Sequence, residues 1–182
     1  MTNINLKLFG LVEDSIVDGP GLRLAVFVQG CSHHCKDCHN KDSWSYAEDK
    51  GYTISIDDIV SILLNNPLTT GLTLSGGEPL DTINKIEAIK ELIHRLRSNN
   101  WNKSIWIYTG YIFEDLINNP DVFPILEETE VIVDGKFDCT KRSLDLKFRG
   151  SSNQRLIDVQ QSIRSNSIVL WKSKFDLESL IK

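Results

Sequence analysis

The sequence lacks the features that would place the protein in a membrane or on nucleic acid. Its apolar runs are short, and a stretch such as LAVFV at 24–28 has only the length of a strand. A membrane-spanning helix needs roughly 18 or more apolar residues. The net charge is −5, so the chain also lacks the basic excess that broad binding to nucleic acid or anionic membrane requires. We therefore expect no membrane partner and no nucleic-acid partner.

The chain also lacks internal repeats, low-complexity tracts and linkers rich in proline, glycine or serine. Its 182 residues suggest one domain, 1–182, large enough to bury a core. The first residues, MTNINLKLFG, do not have the charged start and apolar stretch of a signal peptide. These absences predict a cytoplasmic protein. In the reducing cytosol, clustered cysteines favour metal or redox chemistry over disulfides.

Cysteine is scarce, but three of the four cysteines stand together. Cys31, Cys35 and Cys38 lie in GCSHHCKDCHN (30–40), whereas Cys139 stands alone and is predicted to be a buried thiol. Thiolates are the usual ligands of iron–sulfur clusters and of structural zinc. A zinc site would need a fourth ligand from the neighbouring histidines, which are His33, His34 and His39. Zinc modules usually pair two separated ligand couples, which favours an iron–sulfur cluster, but spacing alone leaves zinc and no metal open.

Strand and helix patterns alternate along the chain, which predicts βαβ units and a parallel sheet. Strands are predicted at 22–30, 71–77, 104–110 and 129–135, further strands at 155–159 and 167–171, and helices at 55–66, 82–98 and 113–119. Ligands gather at the carboxyl ends of parallel strands. The features that follow predicted strands are the cysteine loop, Gly76-Gly77, Thr109-Gly110 and Asp134-Gly135. We therefore expect these four features to share one edge of the sheet.

Three shorter motifs suggest ligand contacts without proving them. In LSGGEP (74–79) the paired glycines allow close approach of the main chain, and Glu78 offers a carboxylate for an amino group. In VDGKF (133–137) the side chains of Asp134 and Lys136 face one side if the chain is extended. RGSSNQR (149–155) is dense in hydrogen-bond donors. Taken alone, the first motif also fits an ordinary strand-to-helix turn, and the second is better explained by a solvated charge pair. A hydrogen-bonded loop explains the third nearly as well as an anion or partner site does.

Together, the motifs resemble the radical S-adenosylmethionine superfamily. The residues that carry the resemblance are CSHHCKDC (31–38), the following HN (39–40) and GGEP (76–79). Within that superfamily the chain resembles the family of activating proteins of the anaerobic (class III) ribonucleotide reductase. This narrower resemblance is carried by VDGPG (17–21), IWIYTGY (105–111), VDGKF and RGSSNQR, spread over about 17–155.

The resemblance implies a set of cofactor contacts. Cys31, Cys35 and Cys38 would hold a [4Fe-4S] cluster, whose fourth iron is left to the amino and carboxylate groups of S-adenosylmethionine. The other residues implied to bind that cofactor are Asp37, Cys38 and His39 along its length, Gly76, Gly77 and Glu78 at its amino group, and Asp134 and Lys136 at its carboxylate end or at a nearby cation. No general acid–base pair is expected.

The resemblance also implies a fold, an activity and partners. The expected fold is a parallel (β/α) partial barrel in a minimal, short version. The reduced cluster would cleave S-adenosylmethionine to a 5′-deoxyadenosyl radical, which takes a hydrogen atom from a glycine of the large subunit of the anaerobic ribonucleotide reductase. A flavodoxin or ferredoxin would donate the electron. The alternatives are an activase of pyruvate formate-lyase, a small-molecule radical enzyme such as a deazapurine synthase, and a non-catalytic zinc-binding interaction module.

Overall fold

The computed structural model describes residues 4–173, which form a mixed α/β sheet of seven strands with helices. The strands are β1 (Asn5–Ser15), β2 (Arg23–Val28), β3 (Tyr52–Ser55), β4 (Gly71–Gly76), β5 (Ser104–Tyr108), β6 (Val131–Asp134) and β7 (Arg155–Asp158). The helices are α1 (Ile56–Asn65), α2 (Ile83–Ser98), α3 (Phe113–Leu116), α4 (Phe123–Glu127) and α5 (Val159–Ser165). The two ends of the predicted domain 1–182, residues 1–3 and 174–182, lie outside the described residues.

The sheet is mixed, so the prediction of a wholly parallel sheet is wrong at its edges. The strand order is β3-β1-β2-β4-β5-β6-β7. The central strands β2, β4, β5 and β6 run parallel, and they are the four strands predicted at 22–30, 71–77, 104–110 and 129–135. Strands β1, β3 and β7 pair antiparallel with their neighbours. A short connection joins β1 to β2, and only an antiparallel pair can be joined without a long crossover.

The helix predictions are confirmed for the two long helices. Ser55 caps α1, because its side-chain oxygen accepts a hydrogen bond from the Asp58 amide at 3.1 Å. The apolar stripe of α2 is buried, including Ile86, Ile89 and Leu96. The helix predicted at 113–119 is shorter than expected and is limited to α3.

Several elements were not predicted, and one prediction is wrong. The elements that were not predicted are β1, β3, α4 and α5. The strand predicted at 155–159 is confirmed as β7, whereas 167–171 forms only one isolated bridge, between Leu170 and Ile157. Among residues 4–173, no helix has the length and apolar character needed to cross a membrane.

Side chains alternate between the two faces of the sheet along each strand, so one strand contributes to the packing on both faces. Ile105 and Ile107 of β5 join the main core with the buried stripe of α2, whereas Trp106 belongs to a second cluster with Val131 and Val133. Phe148 packs against that second cluster, and its ring lies 5.5 Å from Trp106. The segment before Arg149 is therefore anchored on the face of the sheet opposite the main core.

Arg23 is fully buried next to this second cluster. Its guanidinium donates to the Thr73 hydroxyl and to the Leu72 carbonyl, each at 2.7 Å, and lies over the Trp106 ring. Burial lowers the pKa of Arg23 to about 10. Because Thr73 in turn donates to the Asp18 carbonyl, this network attaches the β1–β2 connection to the sheet and helps to close one side of the cavity described next.

Candidate active site

A cavity of about 540 Å³ opens at the carboxyl ends of the parallel strands. Residues that follow each of the four strands line it: Cys31 after β2, Gly77 after β4, Thr109 after β5 and Gly135 after β6. The prediction that these features share one sheet edge is therefore confirmed. The other predicted site residues in the lining are Cys35, Asp37, Cys38, His39, Gly76 and Glu78.

The cysteine loop is folded tightly against the segment that follows it. The Cys31 amide donates to the Trp44 carbonyl at 3.1 Å, and the Cys38 amide donates to the Cys35 carbonyl at 3.1 Å. His34 and Asp37 adopt left-handed backbone conformations, with φ of 47° and 56°, which non-glycine residues seldom adopt. Burial raises the pKa of the Cys31 and Cys35 thiols. The fold thus brings all three thiols to the wall of one cavity.

The Gly-Gly turn lies directly against the start of the cysteine loop. The Gly77 amide donates to the Val28 carbonyl and the Glu78 amide donates to the Gly30 carbonyl, both at 2.8 Å. A Cβ atom on Gly77 would lie 2.2 Å from the Gly30 carbonyl oxygen, which is main chain and cannot rotate away. The absence of a side chain at position 77 is therefore a requirement of this close approach.

The Glu78 carboxylate is buried and already hydrogen-bonded within the protein. The side chain is 1 % exposed, and it accepts from the Thr109 hydroxyl at 2.8 Å and from the Gly110 amide at 2.7 Å. It also accepts from the Leu80 amide at 3.1 Å and lies 2.9 Å from His33 Nε2. Glu78 thus joins the ends of β4 and β5 to the cysteine loop. The sequence analysis did not identify Thr109 or His33 as its partners.

Asp134 and Lys136 are not brought together at the cavity. Asp134 is buried, and its carboxylate accepts from the Phe113 amide and from Arg155 Nε, both at 2.9 Å. Lys136 is exposed. Among the described residues, neither Asp134 nor Lys136 is part of the cavity lining, although Gly135 between them is. The expected pair is replaced by a contact of Asp134 with Arg155.

Arg155 connects Asp134 to the surface. Its guanidinium donates to both carboxylate oxygens of Glu114, at 2.9 and 2.7 Å. Arg155 lowers the pKa of Glu114 to about 2 through these hydrogen bonds. The ion pairs fix the end of β6 relative to β7 and α3, close to the point where Gly135 reaches the cavity.

The Gln154 side chain links the RGSSNQR segment (149–155) to Gly135 at the cavity by hydrogen bonds. The Gln154 side-chain oxygen accepts from the Gly150 and Ser151 amides at 2.9 and 3.2 Å, and its Nε2 donates to the Gly135 carbonyl at 3.1 Å. Arg149 donates to the Gln154 carbonyl at 2.6 Å. Because Arg149, Gly150 and Gln154 line the cavity, the segment forms part of the site.

Comparison with known proteins identifies the family. Residues 17–157 match the family model described as a 4Fe-4S single cluster domain. The anaerobic ribonucleoside-triphosphate reductase-activating protein of Vibrio cholerae is 37 % identical over 141 residues, which cover 76 % of this chain and 89 % of that protein. The protein of the same name from Enterobacteria phage T4 is 35 % identical over 156 residues, covering 86 % and 92 %. The chain belongs to the anaerobic ribonucleoside-triphosphate reductase-activating protein family.

Among solved structures, the chain is similar to QueE from Escherichia coli, with a TM-score of 0.46 and 17 % identity. That likeness covers 58 % of this chain and 53 % of QueE. It is too slight to assign either fold or function.

The available thiols fit a [4Fe-4S] cluster, which is the group named in the description of the matching family model. Three free thiols, of Cys31, Cys35 and Cys38, line one cavity. Within residues 4–173, no three His, Cys, Asp or Glu side chains are grouped so that they could hold a metal ion. In an iron–sulfur cluster each thiolate binds its own iron, so its ligands need not converge on one point. Three thiols that line one cavity without converging on one point are therefore compatible with a cluster.

Cys139 does not belong to this donor set. It lies in a short 3-10 turn, Cys139–Lys141, and is outside the cavity lining that the described residues form. The prediction that it is buried is wrong, since its side chain is only partly buried.

Proposed function

We propose that the protein is a glycyl-radical-generating activase whose target is the large subunit of the anaerobic ribonucleotide reductase. The observation that carries the proposal is the convergence of the three cysteines and the Gly76–Glu78 turn on one cavity at the carboxyl edge of the parallel strands. When bound, a reduced [4Fe-4S] cluster supplies the electron that cleaves S-adenosylmethionine and so starts hydrogen removal from a target glycine. The names of the related proteins support this target over pyruvate formate-lyase.

The chain's own residues bind and orient the cofactors. Cys31, Cys35 and Cys38 would hold the cluster, with one iron left for S-adenosylmethionine, and Asp37 and His39, which line the same cavity, would lie along the cofactor. An open position on the metal centre is what allows a substrate to bind there.

The Gly76–Glu78 turn is proposed to hold the amino group of S-adenosylmethionine. Because the Glu78 carboxylate already accepts hydrogen bonds from Thr109 and Gly110, we assign this contact to the main chain of the turn. Glu78 then acts by fixing the turn. The two glycines leave the main chain accessible to a ligand.

Lys136 is proposed to hold the carboxylate end of the cofactor, with its exposed side chain reaching in from outside the cavity lining of the described residues. Burial raises the pKa of the Cys35 thiol, and the positive charge of Lys136 partly opposes that rise. Asp134 has an indirect role on this proposal, because its carboxylate is held by Arg155 and the start of α3.

The target is proposed to enter as a polypeptide at the open mouth of the cavity. Val17 and Leu144 line the cavity and are 72 % and 90 % exposed. Exposed apolar side chains at a binding site favour contact with another protein. This feature supports a protein target over the small-molecule substrate of a deazapurine synthase.

The remaining proposals concern the fold, the compartment and the electron source. The seven-stranded sheet is interpreted as a short form of the (β/α) partial barrel within one domain, which is supported by the four parallel strands at its centre. The four free thiols suit the reducing cytoplasm. A flavodoxin- or ferredoxin-type protein is proposed to deliver the electron.

The test is anaerobic reconstitution with iron and sulfide, followed by dithionite reduction and addition of S-adenosylmethionine. Reductant-dependent 5′-deoxyadenosine is expected from the wild type and from Cys139→Ala, and none from Cys35→Ala. Metal analysis accompanies the assay. A protein that binds zinc, takes up no acid-labile sulfide and forms no 5′-deoxyadenosine would be a zinc-binding interaction module, and the proposal would be wrong.

A further inference from the structure

Lys85 is a buried cation in an unfavourable place. It lies in the first turn of α2 and is 9 % exposed. A positive charge there meets the positive end of the helix dipole, and burial removes its hydration. Its ammonium group is nevertheless fully satisfied. It donates to the Gly30 carbonyl at 2.7 Å, to the Glu78 carbonyl at 2.8 Å and to Asp81 Oδ1 at 2.7 Å, so each of its three N–H donors has an acceptor.

Two of the three acceptors of Lys85 belong to the two loops that form the proposed cofactor site. Gly30 immediately precedes the ligand Cys31, and Glu78 ends the Gly-Gly turn. The Gly30 carbonyl also accepts from the Glu78 amide at 2.8 Å, so the ammonium group reinforces a direct contact between the loops. Lys85 is thus hydrogen-bonded to both loops and lies outside the cavity lining of the described residues.

Asp81 extends the same connection to Ser32 in the cysteine loop and to Tyr46, which follows that loop. Its Oδ2 accepts from the Ser32 amide at 3.3 Å and from the Tyr46 hydroxyl. The Tyr46 ring in turn lies 5.1 Å from Lys85 Nζ, within the range of a cation–π contact. The pair of Lys85 and Asp81 therefore holds main-chain atoms on both sides of Cys31.

We infer that Lys85 is a positioning residue for S-adenosylmethionine, since it fixes the separation between the cysteine loop and the Gly76–Glu78 turn. The inference rests on the proposed function, in which the amino group of the cofactor meets both the open iron and that turn. The position of this amino group then depends on the separation between the two loops. Lys85 needs no contact with the cofactor to set it.

Lysine suits this position better than arginine. The ammonium is compact and its three donors point in three directions, whereas the guanidinium is planar and larger. Three acceptors at 2.7–2.8 Å and the Tyr46 ring at 5.1 Å surround Lys85 Nζ, which leaves little room for a larger group. We therefore expect Lys85→Arg to fail as a replacement.

The test compares Lys85→Met with two controls on α2. Lys90→Met removes a lysine that pairs with Glu87 near the surface, and Leu92→Ala removes core packing and so lowers stability without touching either loop. Each reconstituted protein is assayed for iron and sulfide content, melting temperature, and the electron paramagnetic resonance spectrum of the reduced cluster with and without S-adenosylmethionine. KM for S-adenosylmethionine and the rate of 5′-deoxyadenosine formation are measured in parallel.

For Lys85→Met we expect near wild-type cluster content, a weakened response of the cluster spectrum to S-adenosylmethionine, and a raised KM. The rate should fall about 100-fold, the scale of loss for a displacement of about 1 Å in a catalytic site. Lys90→Met and Leu92→Ala should keep the wild-type spectral response, and Lys85→Arg should resemble Lys85→Met. A wild-type spectrum and KM in Lys85→Met would overturn the inference, as would the same loss of response in Leu92→Ala.

Two further outcomes are distinguishable. If Lys85→Met does not fold, Asp81→Asn tests the same connection, since it keeps Lys85 and weakens one of its three contacts. A wild-type response in Asp81→Asn would then overturn the inference, and a weakened one would support it. If the wild type itself shows no response to S-adenosylmethionine, the proposed function fails, and this inference fails with it.

Discussion

His33 Nε2 lies 2.9 Å from Glu78 Oε2, across 45 positions of sequence. This contact joins the cysteine loop to the turn after β4, and the Glu78 carboxylate also accepts from Thr109 and Gly110. Glu78, which the sequence motif suggests as a cofactor ligand, thus connects three segments of the site: the cysteine loop, the turn after β4 and the end of β5.

Glu78→Gln is therefore expected to destabilise the protein even without cofactors. The amide nitrogen of glutamine would face donors that now point at a carboxylate, and a buried group left without its partner costs about 2 kcal/mol. Urea unfolding of the cofactor-free protein measures the effect, with the exposed Glu87→Gln as control. Unchanged unfolding of Glu78→Gln, together with lost S-adenosylmethionine binding, would show that Glu78 is primarily a ligand.

Gly77→Ala should prevent the cysteine loop from reaching its position. Its Cβ would lie 2.2 Å from the Gly30 carbonyl oxygen, so one of the two main-chain segments must move. We expect lower iron and sulfide uptake and no detectable S-adenosylmethionine binding. Gly10→Ala is the matched control, because a Cβ there has nothing within 4 Å. Normal cluster content and cofactor binding in Gly77→Ala would contradict the close approach.

The centre of the sheet could be predicted from sequence because local patterns encode it. The apolar run of β2 and the stripe of Ile86, Ile89 and Leu96 on α2 are visible in a short window. In β1, the alternation of buried Leu6 and Leu8 was an available signal. The cap of α5 was another, since Asp158 accepts from the Gln161 amide.

The internal connections of the site could not be predicted in the same way. Lys85 reaches Gly30 across 55 positions, and Glu78 reaches Thr109 across 31. These contacts depend on which strand ends become neighbours in space. No periodicity in the sequence specifies that Lys85, in the first turn of an amphipathic helix, is buried while the other polar residues of that helix are exposed or half-buried.

The ion pair of Glu114 with Arg155 predicts a pH dependence of stability. Folding lowers the pKa of Glu114 from 4.5 to about 2, so its contribution is fully present above pH 4.5 and is lost as the pH falls towards 2. Because the Glu114 side chain is 48 % exposed, we expect Glu114→Gln to lower the free energy of unfolding by only about 1 kcal/mol at pH 7.

That difference should become small towards pH 2, where the Glu114 carboxylate of the folded wild type is about half protonated. Denaturant unfolding of wild type and Glu114→Gln at pH 7, 4 and 2 measures it, and Glu127→Gln on α4 is an exposed control. A constant difference across this range would show that Glu114 stabilises the fold by packing and not by charge.

Leu144→Asp is expected to separate target binding from cofactor cleavage. Leu144 is 90 % exposed at the mouth of the cavity, so a charge there should not disturb the fold. We expect the rate of 5′-deoxyadenosine formation without target to be unchanged, and the KM for the reductase to rise about tenfold, as for an interface residue that contributes about 1.4 kcal/mol. Ile168→Asp, at an exposed apolar residue outside the cavity lining of the described chain, is the control. An unchanged KM in Leu144→Asp would remove this residue from the target surface.

The central claim is that the protein generates a glycyl radical on the anaerobic ribonucleotide reductase, and electron paramagnetic resonance tests it most directly. The reduced, reconstituted protein would be mixed anaerobically with S-adenosylmethionine and the reductase large subunit. We predict the doublet of a glycyl radical that depends on S-adenosylmethionine, is absent with Cys35→Ala and persists with Cys139→Ala. A fully loaded protein that forms 5′-deoxyadenosine but gives no radical on the reductase would contradict the claim.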